Sequence, residues 1–393
     1  MFSQSMYQLG AKRSCIRELF EYGLRQAKVV GPENVFDFSI GNPSIPSPPA
    51  VGETFTSLLS QEDPLTLHGY TPASGCEEAR QAVAEDLTRR SGMAIRPENL
   101  FFTCGAAPAL ISVIRALAVE EAEIVAFAPY FPEYRPFVES NGVRFRAVPA
   151  DRETFLLPIG ELESYLTSHT QALIVNSPNN PSGVIYPKEN LQALSELLQR
   201  KSREYGHPIY IISDEPYREL VYDGAEVPFL PAIYPNTIIC YSWSKSLSLP
   251  GERIGYVCVP DCVADSAQLF AAVAGAARTT GHVCAPSLQQ RVVGLCTAQK
   301  PDLEAYDRNR KDLYEGLTEM GYRCVRPQGA FYLFVQAPGG SAQAFSDRAK
   351  EKNLLVVPGD DFGCPDYFRL STCVAHETIM GSLPIFRELI AEF

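Results

Sequence analysis

Short apolar segments alternate with helical segments through the middle of the chain, and this order constrains the fold more than any other feature of the sequence. The apolar segments are typical of buried strands, because they are short and rich in β-branched and aromatic residues. They cover residues 100–103, 124–128, 143–148, 172–176, 209–213, 237–241 and 254–259, and the helical segments include 107–118, 188–205 and 264–277. The alternation predicts an α/β fold with a mostly parallel central sheet flanked by helices.

Polar residues follow three of the predicted strands. They lie in the segments 175–183 (VNSPNNPSG), 211–217 (IISDEPY) and 240–245 (CYSWSK). Ligands of open parallel sheets bind at the edge formed by the carboxyl ends of the strands, so these segments are candidates for one binding site. From the residues alone, structural alternatives stay open: Asn180 as part of a plain turn, and Asp214 as a helix N-cap.

Lys245 and Arg253 indicate the chemistry of this site. A lysine at the end of a buried strand loses hydration, which lowers its pKa and favours the free amine that forms a Schiff base. Ser242 precedes the lysine and Arg253 follows it by eight residues, and both side-chain types hold phosphate groups well. The combination fits a lysine that carries an aldehyde cofactor with a phosphate, although a surface ion pair is the commoner fate of an arginine.

Composition limits the other classes of protein. The net charge of −12 argues against nucleic acid or an anionic membrane as the main partner, and no apolar run reaches the length of a membrane span. The eleven cysteines are scattered and odd in number, without a Cys-x-x-Cys pair, so free thiols and no metal site are expected. A reducing cytoplasm is the expected location.

The length predicts more than one domain. A chain of 393 residues exceeds the size of one compact core. An amphipathic helix is predicted at 13–30, a boundary at the proline-rich stretch 43–49, and a long helix at 303–320. Strands near Cys324 and at 331–335, 354–357 and 368–371 are expected to form a smaller α+β domain. We expect a large domain at 46–295 and a small domain from 1–45 and 296–393.

Further short motifs accompany the three polar segments in a set order. They are SIGNP at 39–43, GYTPASG at 69–75, TCGAA at 103–107, PYF at 129–131, GAFY at 329–332 and FRLS at 368–371. With these motifs the chain resembles, nearly from end to end, the class I, aspartate aminotransferase-like family of pyridoxal-phosphate enzymes. The resemblance implies fold type I, with pyridoxal phosphate in the large domain. It also implies an aminotransferase that moves an amino group between an L-amino acid and a 2-oxo acid by a ping-pong mechanism.

The resemblance assigns the residues around the cofactor ring. Lys245 would carry the cofactor as a Schiff base and move the substrate proton. Asp214 would hold the pyridine nitrogen, so that the ring accepts electrons, and Tyr217 and Asn180 would donate hydrogen bonds to the ring oxygen. Phe131 would stack on one face of the ring, with Pro216 on the other.

The resemblance also assigns the phosphate and substrate contacts. The phosphate cup would consist of Gly105, Ala106 and Ala107 at a helix N-terminus, completed by Ser242 and Arg253, with Ser244 as a weaker candidate. Arg369 would grip the substrate α-carboxylate through its planar fork, assisted by Asn180 and the backbone of Gly41.

Two residues would connect the site to a second subunit. Tyr70 aligns with a tyrosine that reaches the neighbouring subunit's cofactor phosphate, which implies a homodimer with shared active sites. Arg278 lies near the family position that binds the distal carboxylate of a substrate. Ala107 occupies the place where one branch of bacterial aspartate aminotransferases has a carboxylate-binding lysine, which argues against strict aspartate specificity.

Other readings of the motifs differ in strength. Ser242-x-x-Lys245 also matches the β-lactamase signature, but Lys-Thr-Gly and Ser-Asp-Asn motifs are absent from the sequence and the parallel α/β pattern does not suit that fold. A pyridoxal-phosphate C–S β-lyase uses the same lysine and aspartate and remains an alternative. A non-catalytic pyridoxal-phosphate-binding regulator is the third reading, and the complete set of catalytic residues argues against it.

Overall fold

The structure is a computed structural model that describes residues 1–11 and 14–393. Its α-helices are α1 (Gln4–Ala11), α2 (Cys15–Val30), α3 (Pro49–Gln61), α4 (Pro64–His68), α5 (Glu77–Ser91), α6 (Ala106–Ala116), α7 (Tyr134–Glu139), α8 (Ile159–Leu162), α9 (Lys188–Tyr205), α10 (Trp243–Ser246), α11 (Ser266–Thr279), α12 (Ser287–Leu295), α13 (Leu303–Glu319), α14 (Ala342–Glu351) and α15 (His376–Ile390). Its strands are β1 (Phe36–Asp37), β2 (Leu100–Thr103), β3 (Glu123–Phe127), β4 (Arg144–Val148), β5 (Thr170–Asn176), β6 (Tyr210–Asp214), β7 (Thr237–Ser242), β8 (Gly255–Cys258), β9 (Tyr332–Gln336), β10 (Leu354–Leu355), β11 (Val357–Pro358) and β12 (Tyr367–Ser371).

All seven strands predicted between residues 100 and 259 join one sheet of the described chain, in the order β2-β8-β7-β6-β5-β3-β4. The pairs among β4, β3, β5, β6 and β7 are parallel, and β8 runs antiparallel to both of its neighbours. Every residue of β2, β3, β6, β7 and β8 is buried, as expected of strands covered on both faces. The predicted α/β fold with a mostly parallel sheet is confirmed.

Helices form an apolar layer on each face of this sheet. One core combines the sheet with Val113 of α6, Leu198 of α9 and Val273 of α11. The other combines it with Val83 of α5 and Val292 of α12. Helix α9 has the bounds predicted from the sequence, 188–205, and Gly206 ends it in a left-handed conformation.

The C-terminal part of the chain has its own sheet. Strand β12 lies between β11 and β9 in an antiparallel sheet, and β1 pairs separately with β10. Helices α13, α14 and α15 cover these strands in a third core. The prediction of one strand at 354–357 is wrong, because Val356 separates β10 and β11, which pair with different sheets. Cys324 forms only an isolated bridge with Val335.

The N-terminal helix predicted at 13–30 corresponds to α2. The Ser14 hydroxyl caps it by accepting a hydrogen bond from the Arg17 backbone N–H at 3.4 Å, and residue 13 lies outside the described residues. Across the described chain, no helix is long and apolar enough to cross a membrane.

The sheet brings distant polar residues to one edge. Asn176 pairs in register with Asp214, and Asp214 pairs with Cys240, two residues before Ser242. The three polar segments therefore leave the carboxyl ends of β5, β6 and β7 side by side. The region around Arg369 on β12 closes over this edge, since the Arg369 guanidinium donates to the Asn180 side chain at 3.2 Å.

Candidate active site

Lys245 lies in α10, one short turn beyond the end of β7. Its Nζ donates a hydrogen bond to the Gly41 carbonyl at 2.6 Å and lies 5.4 Å from the centre of the Phe331 ring. Burial lowers the pKa of Lys245 to about 8, against an opposing effect of Cys373 and with help from the positive charges of Arg369 and Arg253. At pH 7 roughly a tenth of this amine is therefore neutral and nucleophilic, far more than for an ordinary lysine.

Asp214 ends β6 and is buried. The Tyr134 hydroxyl donates to its Oδ2 at 2.5 Å, whereas its Oδ1 has no hydrogen-bond partner among the described residues. Burial raises the pKa of Asp214 to about 7, although the Tyr134 hydrogen bond opposes the rise. A cation placed against Oδ1 would restore the ionised form, because an opposite charge favours the carboxylate.

Tyr217 and Tyr332 form a buried pair of phenols. Their hydroxyl oxygens are 3.1 Å apart. Burial raises the pKa of Tyr217 well above its usual range and that of Tyr332 to about 12, so both phenols stay protonated at neutral pH and can donate hydrogen bonds. Gly41 has no room for a side chain, because a Cβ there would overlap the Tyr332 hydroxyl.

The N-terminus of α6 is a candidate anion site. Helix N-termini offer free backbone N–H groups and a partial positive charge. Gly105 precedes the helix with a φ of 101°, and a Cβ there would lie 2.8 Å from the Arg253 guanidinium, so the loop and the arginine are in close contact. Ser242 donates to Ser244 at 3.1 Å, and both residues line the same cavity as Arg253.

Arg369 is 2% exposed and held in one orientation. Its guanidinium donates to the Ser39 carbonyl at 2.6 Å and to Asn180 Oδ1 at 3.2 Å, and it lies 4.7 Å above the centre of the Tyr332 ring. Its Nε has no hydrogen-bond partner among the described residues. A fixed guanidinium with an unused N–H suits a carboxylate ligand.

One cavity of about 270 Å³ connects these groups. Its walls include most of the residues predicted from the sequence: Gly41, Ala106, Ala107, Phe131, Asn180, Asp214, Pro216, Tyr217, Ser242, Ser244, Lys245, Arg253 and Arg369. Gly105 lies beside it, against Arg253. Tyr70 and Arg278 do not line it: Tyr70 is 97% exposed, and Arg278 is exposed in the last turn of α11.

Six residues of the site were not predicted from the sequence: Tyr134, Tyr332, Asn176, Ile16, Leu110 and Pro250. Tyr134 contacts Asp214, and Tyr332 contacts Tyr217 and Arg369. Asn176 donates to the Asp214 carbonyl at 2.8 Å and accepts from the Asn180 N–H at 2.7 Å, and Ile16 of α2 lines the cavity. Tyr332 lies in the GAFY motif and Asn176 in the segment 175–183, so the sequence motifs could have indicated both residues. No local sequence pattern indicates that Ile16 lines the site.

A lysine, a buried carboxylate and a helix N-terminus beside an arginine lie together at the carboxyl edge of a mostly parallel sheet, an arrangement that suits a fold-type I pyridoxal-phosphate enzyme. The family model for aminotransferase class I and II matches residues 33–380. The chain belongs to this family, whose members use pyridoxal phosphate with amino acids and 2-oxo acids, and it is an aminotransferase.

Three similar proteins extend the comparison. The aspartate/prephenate aminotransferase of Thermus thermophilus is 32% identical over 362 residues, covering 89% of each chain. The aromatic-amino-acid aminotransferase 2 of Thermococcus litoralis is 30% identical, covering 96% of this chain and 95% of the relative. The crystal structure of an aminotransferase from Eubacterium rectale is 52% identical, with a TM-score of 0.98 over 100% of this chain and 99% of that chain.

Proposed function

We propose that this aminotransferase works by a ping-pong mechanism in which Lys245 holds the cofactor and later moves the proton at the substrate Cα. The observation that carries the proposal is the Lys245 amine itself. It is half-buried at the carboxyl edge of the sheet, where its Nζ donates to the Gly41 carbonyl at 2.6 Å, and its pKa is lowered to about 8. Such an amine is free to react with an aldehyde and afterwards can act as both base and acid near neutral pH.

The residues of the cavity fit pyridoxal phosphate. When bound, the cofactor supplies an electron sink for negative charge at the substrate Cα. Asp214 would hold the pyridine nitrogen through Oδ1, the buried oxygen that finds no partner in the described chain. Tyr217 and Asn180 would donate to the ring oxygen. Ser242, Arg253 and the N-terminus of α6, which all line the cavity, would hold the phosphate.

Arg369 would bind the α-carboxylate of both amino acid and 2-oxo acid, with Asn180 and the Gly41 backbone beside it. Arg369→Lys is expected to raise KM for both substrates at least about tenfold, because lysine cannot reproduce the planar fork. The effect on kcat should be smaller. Steady-state kinetics with each substrate varied in turn measures this. Arg387→Lys, on the exposed side of α15, is the matched control. An unchanged KM would show that Arg369 has a structural role.

The depressed pKa of Lys245 predicts how the cofactor-free protein takes up pyridoxal phosphate. Only the neutral amine attacks the aldehyde, so the uptake rate should rise with pH through about 8 and level off above it. At pH 7 roughly a tenth of the amine would be neutral, far more than for an ordinary lysine. Absorbance changes after mixing measure the rate. A rate still rising steeply at pH 9.5 would contradict the lowered pKa.

Product analysis tests the reaction. Purified protein with pyridoxal phosphate, an amino acid and a 2-oxo acid should form a new amino acid and a new 2-oxo acid in equal amounts, without release of ammonia. Release of pyruvate and ammonia from cystathionine in the absence of a 2-oxo acid acceptor would instead identify a C–S β-lyase. If neither reaction occurs with the protein loaded with cofactor, the proposed function is wrong.

We also propose a homodimer with shared active sites. Tyr70 is exposed on a polar turn, where a single chain has little use for an aromatic ring, and across a two-fold axis its hydroxyl could reach the other subunit's cofactor phosphate. Arg278 is exposed as well and would face the substrate across the same interface. We further propose that residues 46–295 form the large domain and that residues 1–45 and 296–393 form the small domain. We also propose a cytoplasmic location.

Complementation tests the shared site. Lys245→Ala and Tyr70→Ala should each have little activity as pure proteins. After mixing and subunit exchange, each heterodimer would have one site with both changes and one intact site, so activity should return to at most about half of the wild-type value per heterodimer. Mixing two samples of Lys245→Ala is the control. No recovery despite proven subunit exchange, or a fully active monomer, would exclude the shared site.

A further inference from the structure

Gln290 of α12 is a buried amide that uses both of its polar side-chain atoms. It is 0% exposed. Its Oε1 accepts a hydrogen bond from the Cys76 N–H at 2.7 Å. Its Nε2 donates to the Thr71 hydroxyl at 3.1 Å and to the Ala285 carbonyl at 2.8 Å. This amide has one fixed orientation, because any other rotation would leave buried polar groups without partners.

Two of these partners bracket the turn that carries Tyr70. Thr71 follows Tyr70 directly, and Cys76 precedes the first residue of α5, so Gln290 holds the turn 69–76 near both of its ends. Tyr70 itself is 97% exposed. The direction of its side chain therefore depends on the backbone of this turn rather than on packing around the ring.

The turn packs closely on Gln290 and on β2. Gly75 has a φ of 109°, and a Cβ there would lie 2.8 Å from the Phe102 ring and 3.0 Å from Gln290 Oε1. The Phe102 N–H donates to the Ser74 carbonyl at 3.0 Å, which ties the turn to the strand that leads into the candidate phosphate loop. Gln290 adds the link between this turn and α12.

The third partner of Gln290 connects the turn with the segment after α11. Ala285 is buried in the loop between α11 and α12, seven residues beyond Arg278. The proposed function assigns both Tyr70 and Arg278 to the active site of the other subunit. One buried amide thus joins the two segments that carry these residues.

We infer that Gln290 is a positioning residue of the shared active site, whose amide fixes the turn 69–76 so that Tyr70 reaches the cofactor phosphate in the other subunit. This inference rests on the proposed function, because it takes Tyr70 as a phosphate contact across the two-fold axis. A hydroxyl must stay within about 3 Å of a phosphate oxygen to donate to it, and a loosely held turn would lose this position to conformational entropy. Gln290 does not line the cavity, so it acts through the turn.

Gln290→Met tests the inference, because it keeps the length of the side chain and removes its hydrogen bonds. The probe is pyridoxamine phosphate, which forms no bond with Lys245. Its Kd for the cofactor-free protein, measured by equilibrium dialysis, should rise on the order of tenfold, because the phosphate loses a charge-assisted hydrogen bond. Gln343→Met, at an exposed position of α14, is the matched control. An unchanged Kd in a folded Gln290→Met protein would overturn the inference.

A double-mutant cycle with Tyr70→Phe separates positioning from a general loosening of the fold. Tyr70→Phe removes only the hydroxyl and should raise the same Kd by a similar factor. If Gln290 acts through Tyr70, adding Gln290→Met to this variant should change the Kd by less than about twofold further. Effects that multiply in the double variant would show that Gln290 acts independently of Tyr70, against the inference.

Mixed dimers show which of the two sites Gln290 serves. Gln290→Met is mixed with Lys245→Ala at a pyridoxal phosphate concentration that leaves pure Gln290→Met mostly unloaded. In each heterodimer, the site that keeps Lys245 receives Tyr70 from the Lys245→Ala chain, whose turn is intact. Activity should therefore return to at most about half of the wild-type value per heterodimer. Damage within the variant's own site would give no recovery and would refute the positioning role.

Thr71→Val provides the test if Gln290→Met does not fold. It removes the hydroxyl of the turn that accepts from Gln290, at a half-buried position. The Kd for pyridoxamine phosphate should rise by a smaller factor, about two- to fivefold. If Thr71→Val binds pyridoxamine phosphate as tightly as the wild type, Gln290 does not position Tyr70.

The outcomes separate the inference from the proposed function. A raised Kd in Tyr70→Phe with an unchanged Kd in Gln290→Met would refute the inference alone and leave the shared site standing. An unchanged Kd in Tyr70→Phe would refute the shared site, and the inference with it, while transamination by Lys245 would still stand. A protein that binds the cofactor and transaminates no amino acid would refute the proposed function itself.

Discussion

Lys245→Ala is expected to lower kcat by on the order of 10⁴-fold or more, because the variant loses both the amine that holds the cofactor and the group that moves the Cα proton. The variant should still bind pyridoxal phosphate, since the substitution leaves the proposed phosphate contacts at Ser242, Arg253 and the N-terminus of α6 unchanged. Activity assays, together with the cofactor content of the dialysed protein, measure the two effects separately.

Lys311→Ala is the matched control for this change. Lys311 is half-exposed in an ion pair with Asp307, and surface ion pairs contribute little to stability or function. Its replacement should leave kcat unchanged. A Lys245→Ala protein that keeps more than about 1% of the wild-type kcat would show that another group moves the proton.

Asp214→Asn is expected to lower kcat by about 10³-fold, because an amide cannot hold the pyridine nitrogen in its protonated form and the electron sink is weakened. KM should change much less, since Arg369 and its contacts remain. Stopped-flow measurement of the half-reaction with one amino acid isolates the step. Asp347→Asn, at an exposed position of α14, is the control. Near-wild-type turnover would mean that another residue holds the nitrogen.

Asp214→Asn lowers activity but should raise the stability of the cofactor-free protein above pH 4. The pKa of Asp214 is raised from 3.8 to about 7, so the unfolded chain releases this proton first as pH rises. The free energy of unfolding should therefore fall between about pH 4 and 7 and then level off. Asp214→Asn removes this loss. At pH 8 the free energy of unfolding of the variant should exceed that of the wild type by up to a few kcal/mol, measured by denaturant unfolding. At pH 4 the two proteins should differ little.

The sequence predicts the sheet, and the position of Lys245 and Asp214 at one edge of it, because both depend on local patterns. The apolar segments that become β2 to β8 are short and bounded by polar residues. Lys245 and Asp214 directly follow such segments, so their position at the carboxyl edge needs no knowledge of distant contacts. The motif around Arg369 was predictable only through family resemblance, because its contacts with Ser39 and Asn180 join parts of the chain far apart in sequence.

Residues such as Tyr332 and Ile16 were not predicted because they reach the site from parts of the chain that are far away in sequence. Tyr332 reaches Tyr217 from a strand in another sheet, and Ile16 enters the cavity from a helix near the N-terminus. Strand 354–357 was predicted as one unit because its four residues are uniformly apolar, whereas its division between two sheets depends on the strands it meets. Tyr70 and Arg278 stay predictions, since their proposed partners belong to a second subunit.

Reduction with borohydride tests the central claim, that Lys245 holds the cofactor of this aminotransferase. The purified protein loaded with pyridoxal phosphate is reduced, digested and analysed by peptide mass spectrometry. We expect the cofactor to be fixed to one peptide, at Lys245, in a stoichiometry close to one per chain, and prior addition of an amino acid substrate to prevent the labelling. Recovery of the cofactor on a different lysine, or no specific labelling in a protein that transaminates, would contradict the assignment.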